Sequence, residues 1–265
     1  MTNRDQILAI LTISLALSAC GGGSDDAPSA AVTPSQSNTI TTAPEQSVDP
    51  APQETVLAAE TTLHDCFTLS PGAKFAFSNG YQWLIVEEPF QGQIASGSVE
   101  LRKDGSRFGV RFSKIEGNDF RFLGHIDYSD RGVYSSTQMY YPSAVIPLTL
   151  KVGESYESGG VNTRLNAPRP HSPVPEITTE RITSKITYLG REDLVLGGHK
   201  FADVCKFQSE FTSVGIEQPS DKYSDRSHVW IAKGYGLIQW EDVDALGAAL
   251  PNTRDQLTKI LVAAK

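Results

Sequence analysis

Between residues 21 and 60 the chain has no lysine and no arginine, and its apolar residues are too sparse to bury. Ser, Thr, Ala, Pro, Gln and Gly dominate there, a composition that cannot offset the entropy of folding and predicts a disordered segment. Long hydrophobic runs are scarce too. The run "ILAILTISLAL" near the start is shorter than the ~20 residues that a transmembrane helix needs. The usual markers of catalysis are absent: there is no G-x-S-x-G, no S-x-x-K and no H-E-x-x-H. No repeat of fixed length is present, and there are three cysteines in the whole chain.

What is present at the N-terminus is more informative. A short polar opening, a short apolar region and small residues before a cut make a secretory signal. The order Leu17-Ser18-Ala19-Cys20 resembles the bacterial lipobox, in which the cysteine becomes the lipidated first residue of the mature protein. This reading gives a signal peptide over residues 1–19, a lipidated Cys20 with an acidic linker over residues 20–60, and a β-rich domain over residues 61–265. Several acyl chains hold a protein on a bilayer essentially permanently. Gly21 is not the aspartate of the inner-membrane retention signal, so the resemblance implies the outer membrane, with the body in the periplasm or outside the cell.

The net charge is −8, and six acids fall in the linker (Asp25, Asp26, Glu45, Asp49, Glu54 and Glu60), so the remainder carries only about −2. A body so nearly neutral has no electrostatic footprint for nucleic acid. With Cys20 acylated, Cys66 and Cys205 remain. In an oxidising compartment the simplest outcome is a Cys66–Cys205 disulfide; one free reactive thiol or two separate buried thiols are the alternatives.

From about Leu63 the dominant period is two. Phe75 and Phe77 precede Asn79-Gly80, and Tyr81, Trp83 and Ile85 follow; Asn-Gly suits a type I′ hairpin turn. Val99 and Leu101 before Asp104-Gly105, then Phe108, Val110 and Phe112, repeat the pattern. Phe120, Phe122, Ile126 and Tyr128 read as one face of the next strand. Ile146, Leu148, Leu150 and Val152 alternate, as do Ile182, Ile186 and Tyr188. The expected fold class is mainly β: a single antiparallel, strongly curved sheet or partial barrel with one apolar face. Residues 158–180, rich in Gly and Pro, read as a long exposed loop, basic through Arg164, Arg169 and His171. Near the end, Leu257, Ile260, Leu261 and Ala264 fall at i, i+3, i+4 and i+7. With Thr253 and Gln256 as a capping box, they predict a short C-terminal helix.

Candidate chemistry is thin. His125 and Asp127 lie on the same face of a strand, a spacing that suits a metal but is common on a solvated surface. His64 beside Asp65 and Cys66 resembles a ligand cluster only while Cys66 is reduced. Structural zinc wants four ligands at tight spacing. "DYSDRG" and "DKYSDRS" each contain an arginine that would repel calcium and read as turns. No catalytic residue, metal or cofactor is expected. Met139, Tyr140 and Tyr141 beside Pro142 fit strand packing, or else the wall of an apolar pocket.

The C-terminal half carries a family resemblance. Gly190, Arg191 and Glu192, then Gly198, Phe201 and Cys205, then Trp230, Gly234, Gly236, Leu237 and Ile238, form a pattern over about residues 180–242. It resembles that of uncharacterised bacterial envelope lipoproteins with a β-rich domain, with His199 in place of a Thr-like residue. The resemblance implies an antiparallel β-fold and supplies no reaction. Physically, Gly197-Gly198 permit a tight turn, and Phe201, Asp203, Cys205 and Phe207 alternate onto one face, making Cys205 a buried staple. Three function classes follow: a non-catalytic envelope lipoprotein that binds an envelope protein or cell-wall partner through its loops, a carrier of a lipid or other apolar ligand in a half-barrel cavity, and an enzyme. The first is expected.

Overall fold

Turn chemistry sets the first strands. β1 (Lys74–Phe77) and β2 (Gln82–Phe90) meet at Asn79-Gly80, and β3 (Gln93–Leu101) and β4 (Arg107–Glu116) meet at Asp104-Gly105. In each pair only the glycine takes positive φ, +87° and +83°. Gly80 N donates to Phe77 O (3.0 Å) and Phe77 N to Tyr81 O (2.9 Å). These are three-residue loops closed by a left-handed glycine, not the expected type I′ turns. This computed structural model describes residues 63–129, 131–168 and 174–265. The expected signal peptide, the expected lipidation site Cys20 and the expected acidic linker lie outside the described residues.

The remaining strands are β5 (Asp119–Tyr128), β6 (Tyr134–Pro147), β7 (Ser155–Asn166), β8 (Ile177–Leu196), β9 (His199–Gly215), β10 (Lys222–Ala232), β11 (Gly236–Asp242) and β12 (Asp255–Val262). Each pairs antiparallel with the strand before it, and β12 pairs with β1. The sheet is therefore a closed twelve-stranded up-and-down barrel. Closure satisfies the edge strands that an open or partial barrel would expose.

The expected C-terminal helix is β12. Its pairing with β1 skips residues: Phe77 faces Leu257, Ala76 faces Lys259, Phe75 faces Ile260, and Lys74 faces Val262. The two bulges turn a period of two into a spacing of three between Leu257 and Ile260, which imitates a helix in the sequence. Thr253 caps no helix; its hydroxyl accepts from Asp242 N at 3.0 Å.

The expected long loop over residues 158–180 is largely strand, with β7 running to Asn166 and β8 resuming at Ile177 in register (Leu165 opposite Ile177). Arg164 is thus a strand residue, while Arg169 and His171 lie outside the described residues. Leu150 and Val152 belong to the β6–β7 turn, and "DKYSDRS" opens β10. Gly197 and Gly198 do form the two-residue turn, at φ +56° and +78°. A Cβ at Gly197 would stand 2.5 Å from Thr258 O, so β12 approaches there too closely for a side chain.

Ahead of β1 comes a single helical turn, α1 (His64–Phe67). Cys66 lies in this turn and not in a strand, and it is bonded to Cys205 of β9 across 139 residues, with Cα atoms 6.1 Å apart. Asp203, expected on the Cys205 face, is exposed instead. It adopts φ +53° where the β8–β9 register slips.

Two apolar clusters replace the expected single apolar face. The larger fills the barrel and includes Phe67, Phe75, Trp83, Phe120, Phe207 and Trp240. The second, with Phe90, Val99, Val110, Phe112 and Leu123, covers the opposite face of β2–β5. Phe90 and Phe112 stack there at 4.3 Å.

Candidate functional site

Gly124 decides which side chains of β5 enter the barrel. Its φ is +151°, and a Cβ there would lie 2.1 Å from Gln138 O. The β4–β5 and β5–β6 registers both slip at this point. The bulge reverses the alternation, as an isolated glycine within a strand often does. Phe120 and Phe122 join the interior cluster, whereas Ile126 and Tyr128 pack on the other one. His125 and Asp127, which read as a pair on a solvated surface, point inward; His125 is 6% exposed.

The result is a polar ladder across the barrel wall. Ser98, Arg111, His125, Gln138, Arg164 and Thr178 face one another in turn across β3 to β8. Asp127 Oδ2 accepts from Ser136 Oγ (2.6 Å) and Arg164 Nη2 (3.0 Å), and Asp127 Oδ1 lies 3.3 Å from His125 Nε2. Burial pushes the Asp127 carboxyl up, but hydrogen bonds from His125 and Ser136 and the charge of Arg164 hold it well below the usual range. The second ring nitrogen of His125, Nδ1, is 3.2 Å from the Tyr140 hydroxyl, and burial pushes that phenol far up. Turned over, the Gln138 amide would place its oxygen 2.8 Å from His125 Nε2 and 3.0 Å from Arg164 Nη2, the better match of donors to acceptors.

Next to this network Arg111 lies over Trp83, its guanidinium carbon 4.8 Å from the ring centre. Its nearest carboxylate is Glu100, at 3.8 Å. Burial drives Glu100 up to about 7, against the pull of Arg111.

Two cavities adjoin the ladder. One of about 50 Å³ is walled by aromatic and aliphatic side chains, with Arg111, Ser98 and Ser113 as its polar lining. The other, about 540 Å³, opens at β7–β10 and is lined by Asn162, Thr178, Glu180, Ser213, Asp221 and Tyr223, among others. Hydroxyls, two amides and carboxylates dominate it, with Phe211 and Tyr223 as an aromatic pair 6.4 Å apart.

Of the residues singled out in the sequence, Cys66 and Cys205 are joined as expected, and Cys20 lies outside the described residues. His199 is exposed as the first residue of β9, opposite Leu196. His64, Asp65 and Cys66 hold no common point, because Cys66 is disulfide-bonded and Asp65 pairs with Lys233 at 3.0 Å. Tyr140 is buried and Tyr141 is 83% exposed. Sequence reasoning missed Glu100, Arg111 and Asn162, and it placed Arg164 in a loop where the structure has β7. The one available signal was the glycine inside "FRFLGHIDY", which marks the bulge.

No protein-family model and no curated protein matches the chain. Among solved structures, similarity is found to a Bacteroides fragilis protein described as exported, with a YmcC-like fold (TM-score 0.45, 10% identity, covering 73% of this chain and 97% of that one). A Parabacteroides distasonis protein described as a lipoprotein is also similar (TM-score 0.38, 10% identity, 74% and 97% covered). So is the hypothetical lipoprotein YmcC of Escherichia coli (TM-score 0.31, 14% identity, 71% and 83% covered). At these scores the likeness carries no argument for the function of this chain.

Proposed function

We propose that this chain is a non-catalytic binding module of the bacterial cell envelope, anchored in the outer membrane through acylated Cys20. Its barrel takes a polar ligand rich in hydroxyl or amine groups at the β7–β10 end. The observation that carries this reading is the 540 Å³ cleft, which falls within the size range of small-molecule sites. Its lining holds four acids (Glu176, Glu180, Glu217 and Asp221) against one base, Lys222, which disfavours anions and suits hydroxyl and ammonium donors. Neutral and amino sugars have such chemistry. The carrier of an apolar ligand is less well supported, since the apolar cavity holds about a tenth of that volume. The non-catalytic reading is supported by His125. Both of its ring nitrogens face groups of the fold, Tyr140 and Asp127, so neither is left to activate a ligand.

The test is native mass spectrometry of protein purified gently from envelopes, beside Ser220→Trp, which obstructs the exposed rim of the cleft without touching the core. A hydroxyl- or amine-bearing molecule on the native protein and not on the variant is the expected result. Acyl lipids alone on both, or no small molecule on either, would overturn the proposal.

A further inference from the structure

At the opposite pole of the polar ladder, the interior holds donors that the fold does not satisfy. Arg111 faces inward from β4 with a side chain 12% exposed, and among the described residues its guanidinium makes no hydrogen bond. Glu100, at 3.8 Å, is beyond hydrogen-bond reach. Trp83 beneath it is 3% exposed, and its indole N–H is buried without an acceptor. Unmet buried donors are costly, and a buried cation needs a partner. Both side chains line the cavity of about 50 Å³, together with the hydroxyls of Ser98 and Ser113; the rest of its wall is apolar, chiefly Phe67, Leu69, Phe120, Phe122, Ile231 and Leu237.

A planar guanidinium fork stacked over an indole ring, at one end of an apolar hole, is complementary to a planar monoanion with two acceptor oxygens and an apolar substituent. A phosphate brings more charge than one guanidinium balances, and it has no apolar substituent for the rest of the wall. We propose that the Arg111–Trp83 corner of the barrel is a carboxylate-binding site, taking a short-chain carboxylate or the carboxylate end of a longer acyl chain. This site is separate from the β7–β10 cleft, and either can fail without the other.

Glu100 governs when the corner is free. The charged groups around it are Arg111 of β4, Arg102 beyond the end of β3, Asp127 of β5 and Asp255 of β12. Below about pH 7 burial keeps Glu100 neutral, and Arg111 is open to an incoming anion. Above it, ionised Glu100 repels the ligand and takes over the guanidinium. Binding therefore consumes a proton and weakens by about tenfold per pH unit above that point.

Isothermal titration of the full chain with sodium acetate, butyrate and decanoate, at fixed ionic strength with chloride as control, tests this at pH 6 and pH 8. Saturable carboxylate binding at pH 6 and at least about fivefold weaker binding at pH 8 are expected. Arg111→Met should abolish it, and Glu100→Gln should retain it with no pH dependence. Butyrate and decanoate binding alike would identify a small carboxylate as the ligand, and decanoate much the tighter would identify an acyl chain; both support the site. Should Arg111→Met fail to fold, Glu100→Gln still decides. No saturable binding in either the native protein or Glu100→Gln, undiminished binding in Arg111→Met, or an unchanged pH profile in Glu100→Gln would overturn it.

Discussion

Glu100→Gln should make the protein more stable at pH 8 while leaving it unchanged near pH 4.5. Glu100 is 6% exposed, and its proton is held to about pH 7 in the folded state, against an ordinary value of 4.5. Between those values the unfolded chain has released a proton that the native chain still holds. Stability therefore falls as pH rises through this window and levels off above about 7. The gap corresponds to about 3 kcal/mol, and Gln, neutral at every pH, removes it. For a domain of roughly 200 residues that is about 6–12 °C in Tm. Urea unfolding of both proteins at pH 5, 6.5 and 8 reads the effect as a difference. The difference matters because His228 is pushed down by burial and adds stability as pH rises through its range, the opposite sign in an overlapping window. That contribution is common to both proteins and cancels. A variant whose advantage does not grow from pH 5 to pH 8 would show that Glu100 is solvated or fully paired with Arg111, and the argument from burial would fall.

Opening the Cys66–Cys205 bond, by reductant or by Cys66→Ser with Cys205→Ser, should cost about 5 kcal/mol on the chain-entropy account for a separation of 139 residues. Denaturant midpoints with and without reductant measure it, and coincident midpoints would remove the bond from the list of stabilising features. Gly124→Ala should cost roughly 2–4 kcal/mol, because the added Cβ meets Gln138 O and the backbone angle suits glycine. Amide exchange should quicken first at His125 to Asp127; a variant with native stability would mean that the β5 bulge tolerates a side chain.

Much of the fold was legible because the relevant interactions are local. Alternation placed Phe75, Phe77, Trp83 and Ile85 inside, and Ile182, Ile186 and Tyr188 as well. Glycine dipeptides located three hairpins, including the Gly197-Gly198 turn, whose two positive φ angles few other residues accept. Two of the errors share a cause in bulges. Each adds one residue to one strand, shifts the phase of everything after it and leaves composition unchanged. Gly124 sent His125 and Asp127 inward against the expected phase, and the two bulges of β12 produced a helix-like spacing. Arg164 was assigned to a loop because the glycines at 159 and 160 suggested a break, yet both lie in β7 with ordinary pairing.

Period-two alternation and turn chemistry in the sequence by themselves determined that this domain is an antiparallel β structure with an aromatic interior. The oxidised pairing of Cys66 with Cys205 was expected from the signal-like N-terminal sequence and the cysteine count. Only the tertiary structure decided that the sheet closes, since β1 and β12 are about 180 residues apart and their pairing leaves no local trace. It alone brought Arg111, His125 and Arg164 into one row, with Glu100 and Asp127 beside it, because each comes from a different strand save the two on β5. What such a row can bind depends on which donors remain unpaired after folding, and that is a property of contacts between strands and not of any one of them.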